Sequence, residues 1–404
     1  MTRPREAKWI EQADVYKQDA IAGYFTRTEE GSEFSYDEGY VAVGDPPVAS
    51  TLPTRSRSFR TGSGSVPPFF AGLLPEGARL QAVIQAVETS ADDELSLLLA
   101  VGTDTAGDVR IVPSGTTPSR RSDALPNDPL QVSFRELLAR SVDPDAEQLD
   151  SALAGVQDKL SDAAISFPVV RRGGPAILKL DPQAFPLITR DEHFFLSLAR
   201  TAGFHVPRHA LITDGEGETG LLVERFDRRV DTDGSIQRIA QEDACQLMGR
   251  YPADKYRVSV NDIADQVADI ATSPSAAVLD LVLQVAFAWM IGNGDLHAKN
   301  YSLQFRADGL VMATPLYDIV STLPYPLRQN MALRLDGRDD NFTLQHFATF
   351  AERFGVPEKT IIRHVHSMIR RVEPMLESIP SIGYDEPTAH RLAIEIRRRI
   401  DTLR

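Results

Sequence analysis

Gly294-Asp295-Leu296-His297-Ala298-Lys299-Asn300, followed eighteen residues later by Asp318 in Tyr317-Asp318, is the stretch that decides how the rest of this chain is read. An Asp, an Asn five residues on, and a second Asp closing an apolar segment are a minimal kit for phosphoryl transfer. Asp295 can orient a hydroxyl nucleophile and accept its proton. Asn300 and Asp318 carry the hard oxygen donors that Mg²⁺ takes alongside phosphate oxygens. Such catalysis is mostly positioning and charge neutralisation, so these groups need a rigid mount. The segment 279–291 just upstream is apolar on nearly every face, which predicts a buried central helix delivering the chain into the loop. Two short strands, 301–305 and 310–313, are expected before Asp318. Other uses of the same residues stand beside this one. Asp, Asn and Gly are ordinary turn formers. Asp295, His297 and Asp318 also suggest a metallohydrolase, although a transition-metal site normally draws on more imidazole or thiolate than this. His297 is expected to shape the loop, and Lys299 either touches the transferred phosphate or points to solvent.

Upstream, Ala176-Ile177-Leu178-Lys179-Leu180 places a lysine inside an apolar strand, where burial is costly unless a partner compensates it. In a kinase such a Lys grips the α- and β-phosphates and is positioned by a helix Glu. Glu192, on the helix expected from 190 to 202, can fill that role. It can equally close a capping box with Thr189 at the start of its own helix. Gly155-Val156-Gln157-Asp158-Lys159 could offer backbone N–H groups and Lys159 to phosphates, or simply lead a loop into a strand. Leu221-Leu222-Val223-Glu224-Arg225-Phe226-Asp227-Arg228 reads as a strand ending between two lobes. It either presents backbone groups to an adenine edge with Asp227 on a ribose hydroxyl, or is an edge strand with a salt-bridged tail.

Working outward again, 404 residues exceed one small core, and 42% hydrophobic with 25% charged residues is ordinary for a water-soluble chain. The reading is α+β: a bilobal protein-kinase-like fold with a β-rich N-terminal lobe, including a small N-terminal β subdomain, and an all-helical C-terminal lobe. The expected units are 1–112 (β-rich, with strands at 20–25, 33–36, 40–43 and 109–112), a Ser/Thr/Pro/Asp-rich linker 113–129, the ATP-binding core 130–230, and the helical lobe 231–404. A net charge of −14 argues against a broad nucleic-acid grip by this chain itself. A single cysteine, Cys245, excludes an intramolecular disulfide. The polar stretch 1–18 lacks a signal-peptide core and the run 281–291 is short for a bilayer, which predicts a cytoplasmic protein without a membrane partner.

Taken together, these motifs resemble the HipA family of serine/threonine kinases, toxins of bacterial toxin–antitoxin pairs. The likeness extends along most of the chain, through Phe69-Phe70-Ala71-Gly72-Leu73-Leu74-Pro75-Glu76-Gly77, Gly155 to Lys159, Ile177 to Leu180, Glu192-His193-Phe194, Val223 to Arg228, Gln241 to Gln246, Asp295 to Asn300 and Tyr317-Asp318. The resemblance implies Asp295 as general base, Asn300 and Asp318 on Mg²⁺, Lys179 on the phosphates of ATP, Glu224 and Phe226 presenting backbone atoms to adenine, and Asp227 at the ribose. It further implies an aminoacyl-tRNA synthetase as target, and a small helix-turn-helix antitoxin through which operator DNA is mainly contacted. Family members commonly carry an autophosphorylated Ser three residues before the loop glycine. Here that position is Ala152, with Ser151 adjacent, so self-inactivation is lost, taken over by Ser151 or Ser161, or removed by an introduced alanine. Small-molecule kinases of the aminoglycoside or choline type share the Gly-Asp-Leu-His-x-x-Asn loop and compete with this reading. A catalytically silent co-repressor that only binds the antitoxin competes as well.

Overall fold

The computed structural model describes residues 4–118, 133–141, 164–171, 174–327 and 329–404. The N-terminal unit is built on a five-stranded antiparallel sheet in the order β4-β3-β2-β1-β5. Its strands are β1 (Gln12–Lys17), β2 (Ala20–Arg27), β3 (Gly31–Tyr36), β4 (Ser58–Gly62) and β5 (Val109–Pro113). Four helices accompany them: α1 (Glu38–Val43), α2 (Pro68–Ala71), α3 (Gly77–Val87) and α4 (Glu94–Val101). The core joins both layers, with the Phe70 ring 4.7 Å from Phe25 and 5.1 Å from Phe34, the edge-on and tilted geometry aromatic rings prefer.

The stretch 40–43, expected as a strand, is helix α1 instead. Its aromatic and β-branched residues suit a strand, but local chemistry decides otherwise. Asp37 accepts from the Tyr40 N–H at 2.9 Å as N-cap, and Gly44 closes the helix at φ 82°. Strands β1 and β4 were not expected from the sequence. β1 lies in a polar, charged stretch, yet Ala13 and Val15 are fully buried in it.

The middle unit carries α5 (Phe134–Ser141), β6 (Ile165–Arg171), β7 (Gly174–Leu180), α6 (Ile188–Ala202), β8 (His209–Thr213) and β9 (Thr219–Glu224), with sheet order β6-β7-β9-β8, all antiparallel. β6 and β7 form the hairpin the sequence suggested. Helix α6 packs on β8 and β9.

The C-terminal lobe is helical apart from short strands, so it departs from an all-helical lobe. A hairpin of β10 (Arg228–Val230) and β11 (Ile236–Arg238) leads into β12 (Ala240–Asp243), α7 (Ala244–Leu247), α8 (Val260–Ile270) and α9 (Pro274–Ile291). β13 (Ser302–Phe305) and β14 (Val311–Ala313), both expected, pair with β12 in a three-stranded sheet. Helices α10 (Leu344–Glu352), α11 (Glu358–Val372) and α12 (Glu386–Asp401) surround α9. α9 is long and apolar enough to cross a membrane by length and composition, but 67% of it is buried inside the lobe. It is the core helix that the apolar run predicted. Gly292, at φ 70°, ends it and turns the chain into Asn293-Gly294-Asp295.

Candidate active site

Lys179 lies on β7 with its side chain 14% exposed, and its ammonium is surrounded by carboxylates. Nζ donates to both Glu192 oxygens, at 2.7 and 2.9 Å, and to Asp318 Oδ1 at 3.0 Å. Burial works against the lysine charge, but Asp318 and Glu192 outweigh it and hold the ammonium above its ordinary range. Glu192 is pushed up to about 7, chiefly by burial, with Lys179 opposing and Asp318 adding to the rise.

Glu192 therefore pairs with Lys179 and does not cap its helix. α6 begins at Ile188, so Thr189 already lies inside it. The first turn is satisfied from outside, by Asp181, whose carboxylate accepts from the N–H groups of Leu187 and Thr189 at 3.1 and 2.8 Å. This leaves the Glu192 side chain available to the cleft.

The loop after α9 is braced on several sides. The Gly294 N–H donates to Thr322 Oγ1 at 3.0 Å, and the Asp295 N–H donates to Asn293 Oδ1 at 3.0 Å. Asn300 accepts from the His297 N–H through Oδ1 at 3.1 Å and donates through Nδ2 to Asp318 Oδ2 at 2.8 Å. The Tyr317 hydroxyl donates to the Lys299 carbonyl at 2.6 Å, tying the loop to the segment that carries Asp318. Asp318 itself has φ 55°, a left-handed conformation uncommon for a residue with a Cβ, though Asp is among those that tolerate it.

Four of the expected residues, Lys179, Glu192, Asn300 and Asp318, thus form one hydrogen-bonded cluster. Asp295 sits on the same braced loop, and a residue not singled out from the sequence meets it. Tyr256 donates its hydroxyl to Asp295 Oδ1 at 2.6 Å. The segment 252–256 carries no motif, so nothing in its own composition announced this contact.

Other expected residues are engaged within the protein. Asp227 is 5% exposed and locked in ion pairs. Its carboxylate takes two bonds from Arg225, at 2.9 and 2.7 Å, one from Arg228 at 2.7 Å, and one from the Gly107 N–H at 3.0 Å. Burial alone would raise its pKa, but the two guanidinium groups hold it well below the usual carboxylate range. In this structure Asp227 forms the salt-bridged tail, and a ribose bound there would have to break this network. Lys299 neither faces solvent nor points at a free cleft; it is 15% exposed and paired with Glu76 at 2.5 Å. His297 is buried, its ring edge-on to Tyr256 at 5.1 Å and lining a small void with Leu281, Leu296 and Met331. Burial and the nearby Lys255 hold its pKa well below the ordinary value, so the ring is neutral. It shapes the loop.

At the strand end, Glu224 donates its N–H to the Arg208 carbonyl at 2.8 Å, and the Phe226 carbonyl accepts from Gln304 at 3.1 Å. The Phe226 ring lies 5.4 Å from Tyr317. Gly155, Val156, Gln157, Lys159, Ser151, Ala152 and Ser161 lie outside the described residues.

The donor set fits a nucleotide-borne Mg²⁺. Among the described residues no group of three or more His, Cys, Asp or Glu could hold a metal ion by itself. Mg²⁺ on phosphates asks for only one or two carboxylates from the protein. Asp318 offers oxygen donors, and a cation already sits on one of them, the Lys179 ammonium.

Two family models match the chain. The HipA-like C-terminal domain model matches residues 151–376, and the HipA N-terminal domain model matches residues 13–112. A Sinorhizobium fredii protein named putative kinase Y4mE is 30% identical over 419 aligned residues, spanning 97% of this chain and 98% of its own length. The serine/threonine-protein kinase toxin HipA of Shewanella oneidensis is 27% identical over 374 residues, 84% of this chain and 83% of that one. Among solved structures, a chain from the Shewanella oneidensis complex of HipA, HipB and operator DNA matches 97% of both chains with a TM-score of 0.77 at 22% identity, a likeness of fold.

Proposed function

Because the chain belongs to the HipA family, we propose that it is a cytoplasmic ATP- and Mg²⁺-dependent serine/threonine-protein kinase, the toxin of a toxin–antitoxin pair. The observation that carries the reading is the single ammonium of Lys179 held between Glu192 and Asp318. With Glu192 ionised, a buried lysine between two carboxylates leaves one negative charge in excess, a site prepared for a further cation.

In this reading Asp295 accepts the proton of the substrate hydroxyl, its carboxylate oriented by the Tyr256 hydroxyl. Lys179 keeps Glu192 and exchanges Asp318 for the α- and β-phosphates of ATP. Asn300 and Asp318 would hold Mg²⁺, which when bound neutralises charge on the phosphates. The Glu224 carbonyl and Phe226 N–H face the adenine edge, the neighbouring Glu224 N–H and Phe226 carbonyl being engaged within the protein.

The target would be a translation component such as an aminoacyl-tRNA synthetase, and the restraint a small helix-turn-helix antitoxin that makes most operator-DNA contacts. A relative crystallised with HipB and operator DNA supports this pairing. The test is expression of the chain without antitoxin, followed by phosphoproteomics, with Asp295→Asn as control. Protein phosphorylation that depends on Asp295 and falls roughly a thousandfold or more in the variant is expected. Transfer to aminoglycosides or choline with none to protein, or an Asp295→Asn variant as active as the parent, would overturn it.

A further inference from the structure

The stretch Phe69 to Gly77 belongs to the N-terminal unit and has no part in the mechanism above, yet it is fastened directly to the catalytic loop. Glu76 Oε1 lies 2.5 Å from Lys299 Nζ, and Glu76 Oε2 lies 2.5 Å from Lys255 Nζ. The two lysine side chains are 15% and 7% exposed, and this carboxylate compensates both ammonium groups, with Asp243 adding at Lys299. Burial would raise the Glu76 pKa, but the two lysines hold it down to about 2, and it stays ionised through any working pH.

The attachment is not a single contact. Lys299 Nζ also donates to the Gly72 carbonyl at 3.4 Å, and Gln246 of α7 donates to the Phe69 carbonyl at 2.9 Å. A Cβ on Gly72 would sit 2.8 Å from Gln246 Cγ, so this approach of backbone to α7 requires the glycine.

We propose that Glu76 is a positioning residue of the active site, setting the catalytic loop from the N-terminal unit through Lys255 and Lys299. Each lysine is one residue from a working group. Lys255 is followed by Tyr256, whose hydroxyl orients Asp295, and the Lys255 carbonyl accepts from the Ala298 N–H of the loop at 3.2 Å. Lys299 is followed by Asn300, which donates to Asp318 at 2.8 Å. One carboxylate therefore governs the base and the metal-binding amide together. Displacement of such groups by about 1 Å is enough to slow transfer by around a hundredfold.

The proposal rests on the kinase reading, and the experiment separates the two. Full-length parent, Asp295→Asn, Glu76→Gln, Lys299→Gln and Glu76→Gln/Lys299→Gln are compared for turnover with ATP and Mg²⁺, for affinity toward a fluorescent ATP analogue, and for unfolding temperature. Glu76→Gln is expected to lower kcat roughly ten- to hundredfold while nucleotide affinity changes less than about threefold. The loss in the double variant should fall short of the product of the single losses, because both changes cut the same link. Should Glu76→Gln not fold, Glu76→Gln/Lys255→Met/Lys299→Met removes the unpaired charge and takes its place, again with slow turnover and retained nucleotide affinity. A folded Glu76 variant with parental kcat, or single losses that multiply, overturns the proposal and leaves the kinase reading standing. A parent inert with ATP fails the kinase reading first, and the proposal with it.

Discussion

Two buried ion clusters in this molecule use the same chemistry to opposite ends. In the cleft, one ammonium is shared by Glu192 and Asp318, and Asp318 keeps 23% of its side chain exposed in a left-handed backbone conformation. At the joint between the N-terminal unit and β9–β11, three arginines, Arg225, Arg228 and Arg238, surround Asp104 and Asp227. There Arg225 binds Asp227 through two parallel bonds, and surplus guanidinium N–H groups go to the carbonyls of Thr105 and Gly107. The second cluster leaves its carboxylates fully engaged. The first is short of one cation and is held open for it. A carboxylate in excess of its cations marks the working site, whereas carboxylates outnumbered by guanidinium groups mark the structural one.

The same edit made in both clusters tests that contrast. Asp318→Ala should lower phosphotransfer by roughly a thousandfold while leaving the unfolding temperature close to the parent, because Lys179 retains Glu192. Retained activity in that variant would break the comparison. Asp227→Ala should instead destabilise the fold by about 3–5 kcal/mol, read from urea denaturation, since it leaves buried guanidinium charge uncompensated. A small stability change there, with lost nucleotide binding, would return Asp227 to the ribose.

A smaller effect separates the clusters by pH. Glu192 has its pKa raised to about 7 by burial, so the folded protein holds that proton longer than the unfolded chain. Its contribution to stability is present below about pH 4.5 and is lost as pH rises through 7. Asp227 is held below its ordinary value, so its contribution is present above about pH 4 and is lost in acid. Glu192→Gln should therefore flatten the urea midpoint between pH 4.5 and 7 and leave the acid limb in place. An unchanged slope over that window would show that Glu192 is not the group titrating.

Much of the site was legible because its chemistry is local. Asp295, Asn300 and Asp318 announce themselves by spacing, and Lys179 by its presence in an apolar strand. Glu192 was ambiguous because a capping box reads the same way; Asp181 decides, and it precedes the helix by a loop whose path the sequence does not reveal. Asp227 was ambiguous for a longer-range reason, since its fate depends on Asp104, which pairs with the same two arginines from 121 and 124 residues away. Tyr256 and Glu76 were not legible as site residues. The Glu76–Lys255 pair spans 179 residues and only the packing of two units creates it. In the fold, α1 was missed because a short apolar run with two β-branched residues outweighed the Asp37 and Gly44 boundary signals, whereas the buried helix α9 was clear from its continuous apolar face.

Among the described residues, the ion pairs that cross the joint between the two units are sorted by sign. From the N-terminal side come the carboxylates Glu76 and Asp104; from the other side come Arg225, Arg228, Arg238, Lys255 and Lys299. The two halves are therefore inherited as a matched pair. A recombination event that brought in an N-terminal half neutral at either acidic position would strand cations inside the protein, at a cost of several kcal/mol, much of the stability a typical domain has in total.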